Sequence, residues 1–190
     1  DLEDTTRLIN SISPGSSPVK MHNIYANKLP WKDQMFDCVW SISVVEHIPV
    51  PGDAEVLLEM ERVLKPGGLL LLTLPCANKA SEEYHDFDDY GLSGRIAESS
   101  SGIHFFQRWY DDSLIHEKVI KIFSSLYLIR SEVMGETDAG WFDGYMDAWR
   151  LKGDEKTCMD PFLFANNFKK HDDLKSAPGK AIICLLFRKE

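Results

Sequence analysis

The amino-acid sequence predicts an α/β protein built on a mostly parallel sheet. Three observations predict it. Apolar runs at 36–45 and 69–74 flank a stretch with helical periodicity, which is the strand–helix–strand unit of a parallel sheet. The helix is punctuated by Lys65-Pro66-Gly67-Gly68, where Pro cannot continue a helix and Gly accepts a left-handed cap. Two more strand-like runs come later, at 126–134 and 181–187.

Residues 4–12 predict a short helix, because Thr5, Leu8, Ile9 and Ile12 recur at helical spacing before Pro14-Gly15. A strand is expected at 19–25 and a loop at 27–34. The run 36–45 shows too little alternation for a half-exposed strand, so both of its faces are expected to be covered. Asp53 is a candidate N-cap for the next helix. Val56, Leu57, Met60, Val63 and Leu64 form that helix's apolar face, with Glu55, Glu59 and Glu61 off it. Residues 77–112 carry no periodicity and read as a long loop or lid. A helix is expected at 113–123 and helical pieces near 141–151 and 161–170. The whole reads as one domain, 1–190, with a lid at 77–112 and an irregular, helical insertion at 135–178.

Composition bounds the function. Hydrophobic residues make up 44% of the 190 positions and charged residues 27%, which suits a packed domain. The formal net charge is -9, so a broad basic face for nucleic acid is not expected. No apolar run is long enough to span a membrane, and no secretory signal is present. Cys38, Cys76, Cys158 and Cys184 match no zinc or redox spacing. Cys38, Cys76 and Cys184, in or at the end of apolar runs, read as small buried hydrophobes in a reducing, cytoplasmic setting. Asp86, Asp88 and Asp89, near His85, lack calcium-loop spacing and read as a solvated loop, so no metal is expected.

Two blocks carry a family resemblance. One runs Leu29-Pro30-Trp31-Lys32-Asp33-Gln34-Met35-Phe36-Asp37 through a buried strand to Glu46-His47. The other is Arg62-Val63-Leu64-Lys65-Pro66-Gly67-Gly68-Leu69-Leu70. Together, over about 19–75, they resemble the Rossmann-like S-adenosylmethionine-dependent methyltransferases, type 11-like. The resemblance implies that 19–25, 36–45, 69–74, 126–134 and 181–187 are the third to seventh strands. The seventh would insert antiparallel between fifth and sixth. It implies S-adenosylmethionine as cofactor and a small-molecule acceptor. The first strand and its Gly-rich loop are not found, so the chain reads as an N-terminally truncated fragment. Its fourth-strand edge would then be shielded by a shifted third strand or by pairing with another chain, giving a possible homo-oligomer.

The same resemblance implies roles for single residues. Asp1 would accept hydrogen bonds from the ribose hydroxyls, and Tyr25-Ala26 stands where an Asp-Ala pair usually meets adenine. Ser41, Ile42 and Ser43 would meet the methionine part, and His47 would take a proton from the acceptor. His85, His104, Phe105, Arg108 and Tyr110 would form a substrate lid, with Arg108 holding an anionic group. Plainer roles stay open for each: a solvated terminus for Asp1, a strand end for Tyr25, strand packing for Ser41, a loop tether for His47, and a minor core for the lid rings. Two functions are compatible with these residues: methyl transfer to a small molecule, or an inactive binding or regulatory module of the same fold. A dehydrogenase reading is disfavoured by Leu29-Pro30-Trp31 and Glu46-His47.

Overall fold

The structure is a computed structural model that describes residues 7, 10, 11, 19–86, 102–150 and 161–190. Seven strands occur among them: β1 (Phe36–Ile42), β2 (Leu64–Cys76), β3 (Ser81–His85), β4 (His104–Trp109), β5 (Leu126–Glu136), β6 (Phe168–His171) and β7 (Ala181–Lys189). The frame is a five-stranded sheet in the order β1-β2-β7-β5-β6. β1 and β2 are parallel, and α1 (Gly52–Val63) connects them. β7 lies antiparallel between β2 and β5, so β5 runs in the direction of β1 and β2. That is the expected insertion of the last strand. β6 adds an antiparallel edge beyond β5.

One face of the sheet holds the core. Leu70, Leu72 and Leu74 pair with Phe187, Leu185 and Ile183 across the strands, and all six are buried. Val56, Leu57, Met60, Ile115, Val119 and Phe123 join them in the core. Burying each such side chain contributes about 1.5–3 kcal/mol. On the opposite face, Leu71, Leu186-facing in register, and Cys184 are only half-buried.

β1 departs from expectation. Trp40 is 71% exposed and Ile42 56%, so its faces are not both covered. The reason is position: among the described residues β1 is the edge strand of the sheet and pairs only with β2. Cys38 is likewise exposed, whereas Cys76 is buried and Cys184 intermediate. The strand expected at 19–25 is absent. An isolated strand leaves its backbone groups unpaired, and among the described residues no strand lies beside this segment. The 27–33 segment is tied instead to α1. Asn27 donates to Glu55 (2.8 Å) and the Leu29 amide to Glu59 (2.8 Å). Arg62 clamps the 29–33 loop through the carbonyls of Leu29 and Trp31 and the carboxylate of Asp33.

Asp53 is not the N-cap. Pro51 holds that position, and Asp53 sits in the first turn, buried. Residues 77–112 include a ribbon in which β3 pairs antiparallel with β4. Alternation there is broken by a register irregularity between Glu83 and Tyr84, which hid the strands. The helix expected at 113–123 is α2 (Asp112–Ile115), widening into a π-turn over His116–Ile120. Asp111 caps it, accepting from the Leu114 amide at 2.8 Å. α3 (Trp141–Arg150) agrees with expectation, whereas 161–170 divides into α4 (Pro161–Asn167) and β6. Residues 4–12 lie mostly outside the described residues, with Arg7, Asn10 and Ser11 helical.

Candidate functional site

The site begins where β1 ends. Ser43 turns the chain with φ 50°, a left-handed value uncommon for a side-chain-bearing residue. Its amide donates to Thr73 Oγ1 at 3.0 Å, which ties the carboxyl ends of the two parallel strands together. A single 3₁₀ turn, Val45–His47, comes next and buries Val45 and Glu46. The crevice beyond the carboxyl ends of parallel strands is where open α/β sheets bind ligands.

The β3–β4 ribbon lies against this turn. His47 Nδ1 is 2.8 Å from the Phe106 carbonyl oxygen. A carbonyl only accepts, so Nδ1 carries the proton and, in the neutral ring, Nε2 is the basic nitrogen. The Phe106 ring is 5.2 Å from the His47 ring and stacks on His85 at 4.3 Å. Three groups with different origins in sequence thus meet: His47, Phe106 and His85.

Arg108 fastens the ribbon to α1. Its Nη1 donates to Asp53 Oδ2 (2.8 Å), its Nη2 and Nε to Glu82 Oε1 (2.9 and 3.2 Å). Both the Arg108 and Asp53 side chains are 6% exposed. The expected anion grip is therefore replaced by an internal one: the charge is already neutralised by two carboxylates. Glu83 gathers Gln107 Nε2 (2.7 Å), Trp109 Nε1 (3.2 Å) and His85 Nε2 (3.2 Å). Burial pushes the Glu83 carboxyl up, but these hydrogen bonds together hold it below its ordinary value. Glu82 is held low by the Tyr84 hydroxyl and then by Arg108.

The remaining expected site residues are scattered in environment. Asp1 lies outside the described residues. Tyr25 is 73% exposed in a turn closed by the Lys28 amide, and Ala26 packs against the core. Ile42 is exposed and stands opposite Thr73. Ser41 is buried, and its hydroxyl has no hydrogen-bond partner. His104 faces His85 across the ribbon. Phe105 lies between the Tyr84 ring (5.7 Å) and the Arg108 guanidinium (5.5 Å). Tyr110 is fully buried, its hydroxyl pushed up to about 12 by burial, so it belongs to the core rather than to a lid surface. Its backbone bonds Pro75 and Ala77. Asp86 is described and exposed, while Asp88 and Asp89 lie outside the described residues. No cluster of three metal-ligating side chains occurs among the described residues.

Sequence reasoning missed Phe106, Thr73 and Glu82. The aromatic run His104–Tyr110 signals a strand by composition, but composition does not say that Phe106 meets His47. Glu46 stands out in the structure for a different reason. It is 2% exposed, its Oε2 has no partner, and its Oε1 lies 3.8 Å from His47 Nε2. Burial pushes its carboxyl above the usual range, against its own amide, His47 and Ser43, which favour the charge.

The chain is similar to known methyltransferases. Residues 5–72 match the methyltransferase domain family. A probable methyltransferase of Arabidopsis thaliana, PMT5, is 32% identical over 124 residues, 60% of this chain and 18% of that protein. The chain therefore spans less than a fifth of that relative's length. A putative methyltransferase from Bacillus halodurans superposes with TM-score 0.53 at 16% identity, over 98% of this chain and 79% of that one. A putative sarcosine dimethylglycine methyltransferase from Galdieria sulphuraria gives 0.54 at 17% identity, over 97% and 64%. At such identities the structures show a shared fold, the α/β Rossmann-like fold of methyltransferases. The resemblance read from the two sequence blocks holds, and it rests on the stretch that forms β1, α1 and the start of β2.

Proposed function

We propose that this chain takes part in S-adenosylmethionine-dependent methyl transfer to a small-molecule acceptor, in the crevice at the carboxyl ends of β1 and β2. One observation carries the reading: His47, its Nδ1 fixed on the Phe106 carbonyl, presents a basic nitrogen at the fold's ligand crevice beneath an aromatic ribbon. The residues at the strand end fit the cofactor. Ser41 holds a buried hydroxyl without a partner, suited to the polar amino-acid end, and Ser43 turns the backbone beside it. Tyr25 offers adenine a ring but no carboxylate.

When bound, the cofactor supplies an activated methyl group and a neutral leaving group. The chain's own residues align the acceptor, exclude water and remove a proton. His47 takes that proton at Nε2. Phe106, His85 and Phe105 wall the acceptor's side. Because Arg108 is neutralised by Asp53 and Glu82, the ribbon gives an acceptor no cation, and a neutral hydroxyl or amine suits it better than an anion.

The test is transfer of labelled methyl from S-adenosylmethionine to a panel of small amines and alcohols. His47→Asn is expected to lower kcat on the order of 10²-fold while donor affinity stays within about twofold. An unchanged kcat would remove His47 from the mechanism. The second reading is an inactive binding module, favoured by Tyr25 in place of an acidic residue. Cofactor binding without transfer to any acceptor would select it.

A further inference from the structure

Ser41 Oγ and Glu46 Oε2 are the buried side-chain oxygens without a hydrogen-bond partner among the described residues, and both stand at the end of β1. A buried, unpaired carboxylate oxygen is costly. The other oxygen of that carboxylate, Oε1, lies 3.8 Å from His47 Nε2, beyond hydrogen-bond reach, so the pair attracts as an ion pair only once that histidine is charged. We propose that Glu46 is the positioning residue for His47, its carboxylate stabilising the imidazolium formed when His47 removes the acceptor's proton. The proposal rests on the reading of His47 given above.

The chemistry balances. The acceptor's X–CH₃ bond forms as the donor's sulfonium S–CH₃ bond breaks, that electron pair leaving on the neutral thioether; the X–H bond breaks with its pair kept on X, the proton goes to His47 Nε2, and the positive charge that arrived with the donor ends on the imidazolium. Glu46 Oε1 lies 3.8 Å from Nε2, an ion-pair distance, with the carboxylate buried and the imidazole 23% exposed, so Coulomb attraction is stronger than in bulk water. The interaction is weak while the ring is neutral and strong once it is charged, so it favours the transition state over the ground state. Phe106 fixes the ring's other nitrogen and so holds the ring at this distance from Glu46.

The surroundings leave this role to Glu46. From β3, His85 is engaged with Glu83 beyond the Phe106 ring. From α1, Asp53 is matched by Arg108 of β4. Tyr110 and Cys76 are buried, each pushed up to about 12 by burial, with Glu46 among the charges they feel. Ser43 lies on the same turn and favours the ionised form of Glu46.

The test is a proton NMR titration of the His47 ring in the folded chain and in Glu46→Gln, with circular dichroism to show that both are folded. Glu46→Asp serves as a second variant that keeps the charge. The expected result is a drop of about tenfold in the proton affinity of His47 in Glu46→Gln, about one pH unit, largely restored in Glu46→Asp. With an active acceptor, the acid limb of the kcat/KM profile moves the same way. A midpoint that is the same within about twofold in both proteins overturns the proposal and leaves the methyl-transfer reading standing. A midpoint that moves while His47→Asn keeps the wild-type transfer rate overturns that reading, and Glu46's part in transfer with it.

Discussion

Individual side chains at this site divide into those that hold and those that act. Arg108 holds. Its guanidinium joins Asp53 of α1 to Glu82 of β3 from a nearly dry position, and removing one partner of such a pair leaves an uncompensated buried charge. Arg108→Met is expected to cost about 3–5 kcal/mol in urea unfolding; a loss below about 1 kcal/mol would show that the pair is solvated. Glu46 behaves oppositely. Its carboxyl is raised on folding by burial, so in its ionised form it opposes folding at high pH, and the opposition fades as pH falls through its folded value. Glu46→Gln is therefore expected to gain stability relative to the parent at about pH 8 and to lose that advantage on acidification. A difference that stays constant with pH would contradict this sign. His47 was legible as a candidate from its place after the β1 run. What Arg108 does was not, because its partners lie 55 and 26 residues away in sequence, and a lone basic residue in an aromatic run looks the same whether it binds a ligand or a carboxylate of its own chain.

Secondary-structure elements were legible where the period was clean. The α1 face and the runs that became β2, β5 and β7 read directly, because their apolar residues recur at the spacing of a helix face or of a strand. Two places failed for physical reasons. The 19–25 run has strand composition but, among the described residues, no neighbouring strand, and composition cannot supply a partner. The β3–β4 ribbon pairs through an irregular register, which erases alternation. The passage from α1 to β2 is a further element-scale device. A Cβ on Gly68 would meet the Lys65 carbonyl oxygen at 2.8 Å, Leu64 Cδ1 at 2.9 Å and the Asp37 carbonyl oxygen at 3.0 Å. Gly68→Ala is therefore expected to cost about 1–3 kcal/mol through overpacking. Gly67 has open space around it but φ +76°, so Gly67→Ala is expected to cost only about 1 kcal/mol. Thermal unfolding of the pair checks the ranking, and a larger loss at Gly67 would reverse the account of this turn.

Across the whole molecule, the ribbon, the β1 turn and the sheet edge form one connected arrangement. The two strands of the ribbon are held together by carboxylates whose protonation is suppressed on folding, Glu82 and Glu83. Such groups stabilise above their unfolded value, about 4.3, and lose that contribution as pH falls through the lower folded value. Opening of the ribbon, followed by Trp109 fluorescence, is thus expected on acidification below that range and before global unfolding; coincident transitions would show that the ribbon has no separate stability. The fold class could be read from a handful of motifs because the strand–helix–strand unit is local. The site instead joins segments far apart in the chain, His47 with Phe106 and Asp53 with Arg108, and no local pattern encodes their meeting. The most direct test of the central claim, that the carboxyl ends of β1 and β2 form a cofactor crevice, is calorimetric titration of the folded chain with S-adenosylmethionine. The account predicts saturable binding in the micromolar range that Ser41→Val weakens by about tenfold, the loss of one hydrogen-bonding group. A folded chain that takes up no cofactor, or one whose affinity is indifferent to Ser41, would contradict it.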